Sequence, residues 1–558
     1  MPSQNIPALL GTFVDGTVVT AGTTSTTDTG GSTLNPKMEL IRSVVNDHAT
    51  RIDTLTAQVS SLGGLVFNPI TYGADVTGVT DSTAAIQSCI NAAVAQQGIV
   101  VFSNGLYKLT DTLNVTGTCY ITSDGAGQGV ILFQTVSSKS IFNISSDYVR
   151  ITDLKMDYQA AASSTTAMIY RTVASATYLT GIVIQRCQFY SSTSKSFIAI
   201  SIPFIQASLI SDCSYTATLS SGYYFLGLTG SQNVSVSRNV CTFCSAAVFL
   251  AAKTYNTINK NIVIDQNTIT SYNSNAIVMG ECANIFVNKN VFSSCTGGTG
   301  ISAVRITPSS TPYASFVSIT ENLIDHTSDS LGTTVNSGVY SLGCSYLNVS
   351  ENYFYYGKNL IYLTGYLSAG TAGYNSTISN NVFIRPASAA IYTGDFGGSL
   401  IVRANKIVDV IDTSATGNSF AIQNACVSTV SSVPVANCMI VANNTLGTIG
   451  TTGYTGNMNN YGLYISNGST TQKTLTNGND FSIAATSSYY DVNLSIFTES
   501  VTGDRIVRST GSAAPTTGTW KVGDQVVLDS PTAGGYIGYV CTTAGTPGTW
   551  KGYGAIQA

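Results

Sequence analysis

Five carboxylates in the middle of the chain are placed as glycoside chemistry would need them: Glu281, Asp325 and Asp329, with Glu321 and Glu351 as a second set. Cleaving a glycosidic bond takes two carboxyl groups, about 5–5.5 Å apart for a retaining reaction and about 6.5–9.5 Å apart for an inverting one. Glu281 follows Val278 by three residues, and Asp325, His326 and Asp329 sit on the longer segment leading to Tyr340. Asp395 occupies the same edge as Glu281 but four repeats away, too far to act with it in one chain. Arg305, one repeat beyond Val278, could orient an acidic sugar. Tyr340, Tyr362, Tyr392 and Tyr464 follow the aligned apolar residues Val339, Ile361, Ile391 and Leu463, so they form an outward column with Phe249, Val278 and Arg305. Lone surface aromatics need no explanation, but aligned ones do. Aromatic faces and hydroxyls suit sugar rings; an interface between subunits is the alternative, and a groove between subunits would be both. Glu321 and Glu351 stack on neighbouring repeats about 5 Å apart, where like charge raises one pKa as a general acid requires. The same column holds Arg186, Asp212, Arg238 and Lys289, which reads equally as an outward ladder of weak surface pairs.

Other chemistries find less support. The chain has two His and no Ser/His/Asp arrangement, and no set of residues calls for a metal or a cofactor. Cys241 and Cys244 make one CxxC, but Cys241 already falls on an inward position, which favours core packing over metal or redox chemistry. The twelve Cys fall singly or at core positions, as in a chain made in a reducing cytosol. Net charge is −4 with no basic run, which argues against nucleic acid. No apolar run reaches the roughly 18 residues of a membrane span, and MPSQNIPALLG lacks the basic and apolar regions of a secretory leader.

What must position these residues is a repeat. The phrase apolar, any, apolar, any, any, Asn, any, apolar recurs as VSVSRNVC (234–241), IVIDQNTI (262–269), IFVNKNVF (285–292) and VSITENLI (317–324). It returns as LNVSENYF (347–354), STISNNVF (376–383), LIVRANKI (400–407) and, loosely, CMIVANNT (438–445). The Asn are 239, 267, 290, 322, 352, 381, 405 and 443, each preceded three residues earlier by Val or Ile. Earlier copies put Cys187, Cys213 and Leu154 at the Asn site. Period-2 alternation around a bend is a strand, a corner and a second strand, which buries its apolar side only by stacking on further copies. An inward Asn on every coil can bond the corner backbone and the Asn above and below. The fold class is therefore all-β, a right-handed parallel β-helix with an Asn ladder, of about 11 coils and about 50 Å at roughly 4.8 Å per coil.

The chain divides into an extended Gly/Thr-rich arm (1–34), a helix (35–64), a β-helix entry (65–125), the β-helix (126–470), a linking β region (471–504) and a small C-terminal β module (505–558). In the helix, Asn35-Pro36 opens a run with Met38, Ile41, Val45, His48, Ile52, Leu55, Val59 and Leu62 alternately 3 and 4 apart, a coiled-coil seam closed by Gly63-Gly64. Its Val/Ile and Leu positions alone lean towards a dimer, with His48 as a polar specificity residue. In the entry, Thr80 or Asp81 caps a helix with Ala85, Ile86, Cys89, Ile90 and Ala93 inward, ending at Gly98 before the buried strand at 99–102. Such a helix covers the open end of a solenoid.

Tyr72-Gly73-Ala74-Asp75, Thr77-Gly78, Asp81, the Ala-Ala-Ile-Gln helix and the following Gly-x-Tyr-Lys strand resemble the pectate-lyase-like β-helix entry of bacteriophage tailspike and tail-fibre proteins. Residues 505–558, with Trp520 and Trp550 each in a Gly-Thr-Trp-Lys phrase, resemble a small terminal module of phage tailspikes; the two Trp form its core or stack on sugars. The resemblance implies a homotrimer, held to a phage tail or baseplate protein by its N-terminal segment and contacting the host with its β-helix. It implies a virion-tail protein, assembled in the host cytoplasm and acting outside the cell at the host surface. The GHG, NTD and RIK signatures of polygalacturonase-type β-helices are absent, so pectin chemistry is not carried over. Three functions fit: a depolymerase of host capsule or lipopolysaccharide, with hydrolysis favoured over lyase chemistry; a non-enzymatic receptor-binding adhesin; and a structural fibre that spaces its two ends.

Overall fold

The structure is a computed structural model. It describes residues 65–491 apart from 126–128, 161–163, 173–175, 194–195, 217–222, 252–256, 296–299, 309–313, 328–336, 365–374, 395–398, 412–418, 426–437, 448–460, 466–472, 482 and 485–486, and residues 508–558 apart from 519. The arm, the seam with His48, Asp329 and Asp395 lie outside the described residues.

Three parallel sheets run the length of the rod, the first of sixteen strands and the second and third of fourteen each. Each complete coil visits them in the same order, for example Cys282–Asn288, then Val291–Ser293, then Ser302–Ile306. Parallel crossovers take the right hand, and the fold is a right-handed parallel β-helix. About fourteen coils at roughly 4.8 Å make a rod nearer 67 Å than 50 Å. The count of eleven was low because the entry coils lack the Asn phrase and the last coil, with Lys473–Asn477 and the ladder residue Asn479, was not recognised.

The Asn side chains form one continuous ladder inside the corner between the first and second sheets. Nδ2 of each donates to Oδ1 of the next at 2.9–3.0 Å, from Asn239 through 267, 290, 322, 352, 381, 405 and 444 to 479. The same Oδ1 also accepts the backbone N–H of the Asn below, as Asn322 does from Asn290 at 2.9 Å. The second Nδ2 hydrogen goes back one coil to a strand carbonyl, Asn290 to Ile264 O at 2.9 Å. Each buried amide is thereby fully bonded. Near its end the ladder departs from the sequence reading. Asn443 sits outward with φ 54°, and Asn444 takes the ladder site with Val441, not Ile440, buried beneath it. Two adjacent Asn made the register ambiguous, and the parity of Met439 and Val441 decides it.

The residue before each ladder position turns the corner in the left-handed region. Asp153, Arg186, Asp212, Arg238, Gln266, Lys289, Glu321, Glu351, Asn380, Ala404 and Asn443 have φ of 52–61°. An L residue there costs roughly 1–2 kcal/mol, so the ladder must hold the corner against its own backbone. The entry is likewise built on conformation. The Asp75 carboxylate accepts from Thr77 Oγ1 and N and from the N–H groups of Val79 and Thr80, and these bonds bring its pKa down to about 2. Gly73 closes the preceding turn at φ 91°. The capping helix is Thr83–Ala95 and buries Ile86, Cys89, Ile90 and Ala93. Its N-cap position is Ser82 rather than Thr80 or Asp81, although Asp81 Oδ1 still accepts Thr83 N–H at 3.1 Å.

The C-terminal residues form a separate four-stranded sheet over Arg508–Gly511, Gln525–Leu528, Tyr536–Thr543 and Thr549–Ala555. Trp520 and Trp550 meet edge to face at 5.0 Å, and their indole N–H groups donate to Thr517 O and Pro547 O. Both rings thus bind their own module together.

Replacing Asn322 by Ala strips the acceptor from two buried donors of Asn290. It should cost about 3 kcal/mol, read as a lowered denaturant midpoint of unfolding. Glu321→Ala, one residue away on the exposed corner, should stay within about 0.5 kcal/mol.

Candidate functional site

The third sheet carries the aligned outward column. Its register runs Val248, Ile277, Val304, Val339, Ile361, Ile391, Ile422, Leu463, so the outward neighbours are Phe249, Val278, Arg305, Tyr340, Tyr362, Tyr392, Gln423 and Tyr464. Pairing adds Gln423, which the sequence alignment passed over because its coil lacks an aromatic there, and it extends the column to Tyr490. Tyr340 and Tyr362 stack at 5.2 Å and 6°, and Tyr362 and Tyr392 at 4.6 Å and 10°. The Arg305 guanidinium lies 4.9 Å from the Tyr340 ring centre and donates to Gly300 O. Tyr464 stands apart, packed at 4.5 Å on Phe420 and edge-on to Tyr461.

This geometry changes the chemistry read from the column. The three rings face one another along the rod axis, so their faces are spent on each other and on Arg305. The outward side of the stack therefore consists of half-buried ring edges and phenol hydroxyls rather than flat aromatic platforms. From Arg305 to Tyr392 the column is a run of polar-tipped side chains, one per coil.

The carboxylates are not gathered around it. Glu281 sits between the third-sheet strand Ile277–Met279 and the first-sheet strand Cys282–Asn288, and only 1% of it is exposed. Burial, helped by the Glu281 charge, pushes the Cys282 thiol up to about 12. Asp325 ends the second-sheet strand Leu323–Asp325 and accepts Thr327 N–H at 2.8 Å. The two therefore flank opposite edges of the third sheet and different coils. With a rise of about 3.3 Å per residue across a five-residue strand, they are roughly 15 Å or more apart. Glu321 and Glu351 both project from the convex corner into solvent, and Glu321 is 3.6 Å from Lys289. Their column is a series of axial ion pairs, Arg186 to Asp153 at 2.6 Å and Arg238 to Asp212 at 2.7 Å. The guanidinium groups hold both aspartates below the usual carboxylate range.

His326 is the residue sequence reasoning misplaced. It was assigned to a loop, but it points into the core with no exposed surface. Its Nε2 is 2.5 Å from Tyr272 Oη, two coils below, and Nδ1 has no hydrogen-bond partner. Burial presses its pKa down to about 4, against a smaller upward pull from Asp325. Cys241 and Cys244 are both buried, and burial raises both thiols, Cys244 to about 12, so the CxxC is core.

Residues 66–298 match the family model of rhamnogalacturonase A/epimerase, pectate lyase-like proteins. None of the curated proteins matches the chain by sequence. Among solved structures, the chain is similar to the catalytic unit of the thermostable GH87 α-1,3-glucanase of Streptomyces thermodiastaticus strain HF3-3. The identity is 15% and the TM-score 0.50, over 70% of this chain and 69% of that one. It is also similar to tailspike protein 3 of bacteriophage CBA120, at 13% identity and TM-score 0.47 over 88% and 70% of the two chains. The Pseudomonas phage phi297 tailspike follows at 10% identity and TM-score 0.48, over 74% and 80%. The match over 66–298 falls where the entry motif was read, and the fold is pectate-lyase-like.

Between pH 6.5 and about 4 an unfolded chain binds a proton at His326 that the native core refuses. Stability should therefore fall as pH drops through that window, by about 3 kcal/mol in total. His326→Gln should flatten this part of the pH dependence of the melting temperature relative to the unmodified chain.

Proposed function

We propose that the protein is a phage tailspike that binds a host surface polysaccharide, capsule or lipopolysaccharide, along its third sheet. The observation that carries this reading is the Arg305–Tyr340–Tyr362–Tyr392 stack, which presents one hydroxyl per coil along the rod. A polymer lying parallel to the axis would meet the same group repeatedly, and Arg305 offers a cation to an acidic residue of that polymer. The family match over 66–298 and the entry motif support a carbohydrate-directed β-helix. The tailspike resemblance adds a homotrimer fixed to a phage tail through its N-terminal segment, working at the host surface from the virion tail.

Hydrolysis of the bound glycan is the finer part of the proposal. Asp325 and Asp329, four residues apart in the sequence, are its residues, with Arg305 and the tyrosines holding the sugar. Glu281 joins them only if its corner opens, since it is buried and too distant for the roughly 9.5 Å limit of a paired mechanism. That separation favours a second reading, a binding protein that cleaves nothing.

Two measurements separate these readings. Tyr362→Phe keeps the stack and removes one hydroxyl, and it should weaken retention of host polysaccharide about tenfold. Unchanged retention would remove the hydroxyl rail. Incubation with capsule or lipopolysaccharide should release new reducing ends, and Asp325→Asn or Asp329→Asn should abolish that release while leaving retention intact. Retention without any cleavage by the unmodified chain leaves the adhesin reading.

A further inference from the structure

The outward column of the third sheet changes character just below the Arg305–tyrosine stack. Pairing continues it downward from Arg305 through Val278 and Phe249 to Gly227. A Cβ on Gly227 would fall 2.5 Å from the ring of Tyr224, which occupies the place of the missing side chain. That ring stacks on Phe249 at 5.6 Å and 21°. The column therefore holds two stacks, Tyr224–Phe249 below and Arg305–Tyr340–Tyr362–Tyr392 above. Val278 alone stands between them. Its side chain ends at Cγ, whereas Phe249 and Arg305 reach several atoms further from the sheet. All three are half-buried, so the surface has a notch with Val278 as its floor.

The two walls of the notch differ in kind. Below is an aromatic face: Tyr224 covers one side of the Phe249 ring, and among the described residues no second ring stacks on it. Above is the Arg305 guanidinium, backed by Tyr340 at 4.9 Å and donating to Gly300 O at 3.3 Å. Arg186 and Arg238 each meet an aspartate, but none of the ion pairs among the described residues includes Arg305. The walls stand two coil spacings apart, about 9.6 Å. A flat group touching both needs about 7–8 Å, so an aromatic ring would be loose there. A saturated ring is thicker by its pucker and its axial hydrogens, and it fills the space. A pyranose is such a ring, with an apolar C–H face for Phe249. Held between walls stacked along the axis, it lies across the rod and so joins an axial chain as a branch. Arg305 then calls for a negative substituent on it, and a planar carboxylate matches the guanidinium fork. One cation also balances a carboxylate better than a phosphate monoester, which carries roughly −1.5 to −2.

We infer that the Val278 notch is a subsite for one carboxylate-bearing pyranose of the bound polysaccharide, seated with its apolar face on Phe249 and its acid on Arg305. The subsite rests on the glycan reading of the third sheet and narrows it to acidic polymers. Phe249 and Val278 are its specificity-determining residues for the sugar ring, and Arg305 for the charge.

The test compares retention of three preparations of host capsule or lipopolysaccharide by the full-length chain: native, phosphatase-treated, and carboxyl-reduced with carbodiimide and borohydride. Reduction turns each carboxylate into a primary alcohol and leaves the sugar rings in place. The unmodified chain should retain the native and phosphatase-treated forms equally, and the carboxyl-reduced form about tenfold more weakly. Arg305→Gln should no longer distinguish native from carboxyl-reduced. Val278→Phe fills the notch but keeps Arg305 and the tyrosines, and it should lower retention of the native form about tenfold. Phe249→Leu removes the aromatic wall and should lower it in the same direction. Circular dichroism melts check that each variant is folded, and the two wall variants stand in for each other if one is not. Equal retention of native and carboxyl-reduced glycan by the unmodified chain would overturn the subsite. So would a loss on phosphatase treatment alone, or folded wall variants that bind as the unmodified chain does. No retention of native glycan at all would reject the glycan reading itself, and the subsite with it.

Discussion

A hydrogen bond between asparagine amides on successive coils is the constraint on which the rest of this rod depends. Each Oδ1 accepts from both the side chain and the backbone of the Asn below, and each Nδ2 donates upward and back into the coil beneath. A single coil cannot satisfy such a group, and a buried unsatisfied amide costs about 1–3 kcal/mol. The corner is therefore stable only as part of a stack, which makes the fold one-dimensional and its coil spacing uniform. Below Asn239 the ladder continues in sulfur. Cys213 N–H donates to Asn239 Oδ1, and Cys213 and Cys187 fill the sites beneath as small buried groups.

The ladder also explains the charged column outside it. Holding an Asn inward at a tight corner forces the preceding residue into the left-handed region, where glycine would be the cheapest choice. The chain uses Asp, Arg, Lys and Glu there instead, because these side chains emerge in register and can pair along the axis. Exposed pairs of this kind contribute little individually. Where Asp, Arg, Lys or Glu stands at the corner, the effect is to keep that edge of the coil charged and wet. Glu321 and Glu351 belong to that edge by their backbone as much as by their charge.

How far function was legible follows the same division. Positions set by the ladder could be counted from sequence: the inward Ile, Val and Phe columns, the charge column and the register of the third sheet all fall where the Asn phrase puts them. Asn443 failed because two neighbouring Asn offered two registers, and Gln423 because its coil carries no aromatic to align. Glu281 and His326 failed for another reason. Both lie at turns between sheets, where coil length varies and period-2 alternation stops, so nothing in the local pattern says that one is buried at a corner and the other turned into the core. The tyrosine column was legible as a column but not as a stack. Whether aligned rings present faces or edges depends on side-chain rotation, which spacing does not encode.

A lattice with one repeat per coil suits some tasks and resists others. It can set identical groups about 4.8 Å apart over many coils, so weak contacts add along a linear polymer held by the same scaffold, and rigid placement spares the ordering cost that flexible contacts incur. It is poorly suited to bringing two unlike groups together across a face, since residues at opposite edges of a strand are kept apart by the strand itself. Glu281 and Asp325 show this separation directly, and a paired mechanism must draw both members from one edge, within one or two coils. Asp325, at the end of a second-sheet strand, can therefore work only with a carboxylate from its own edge of the third sheet.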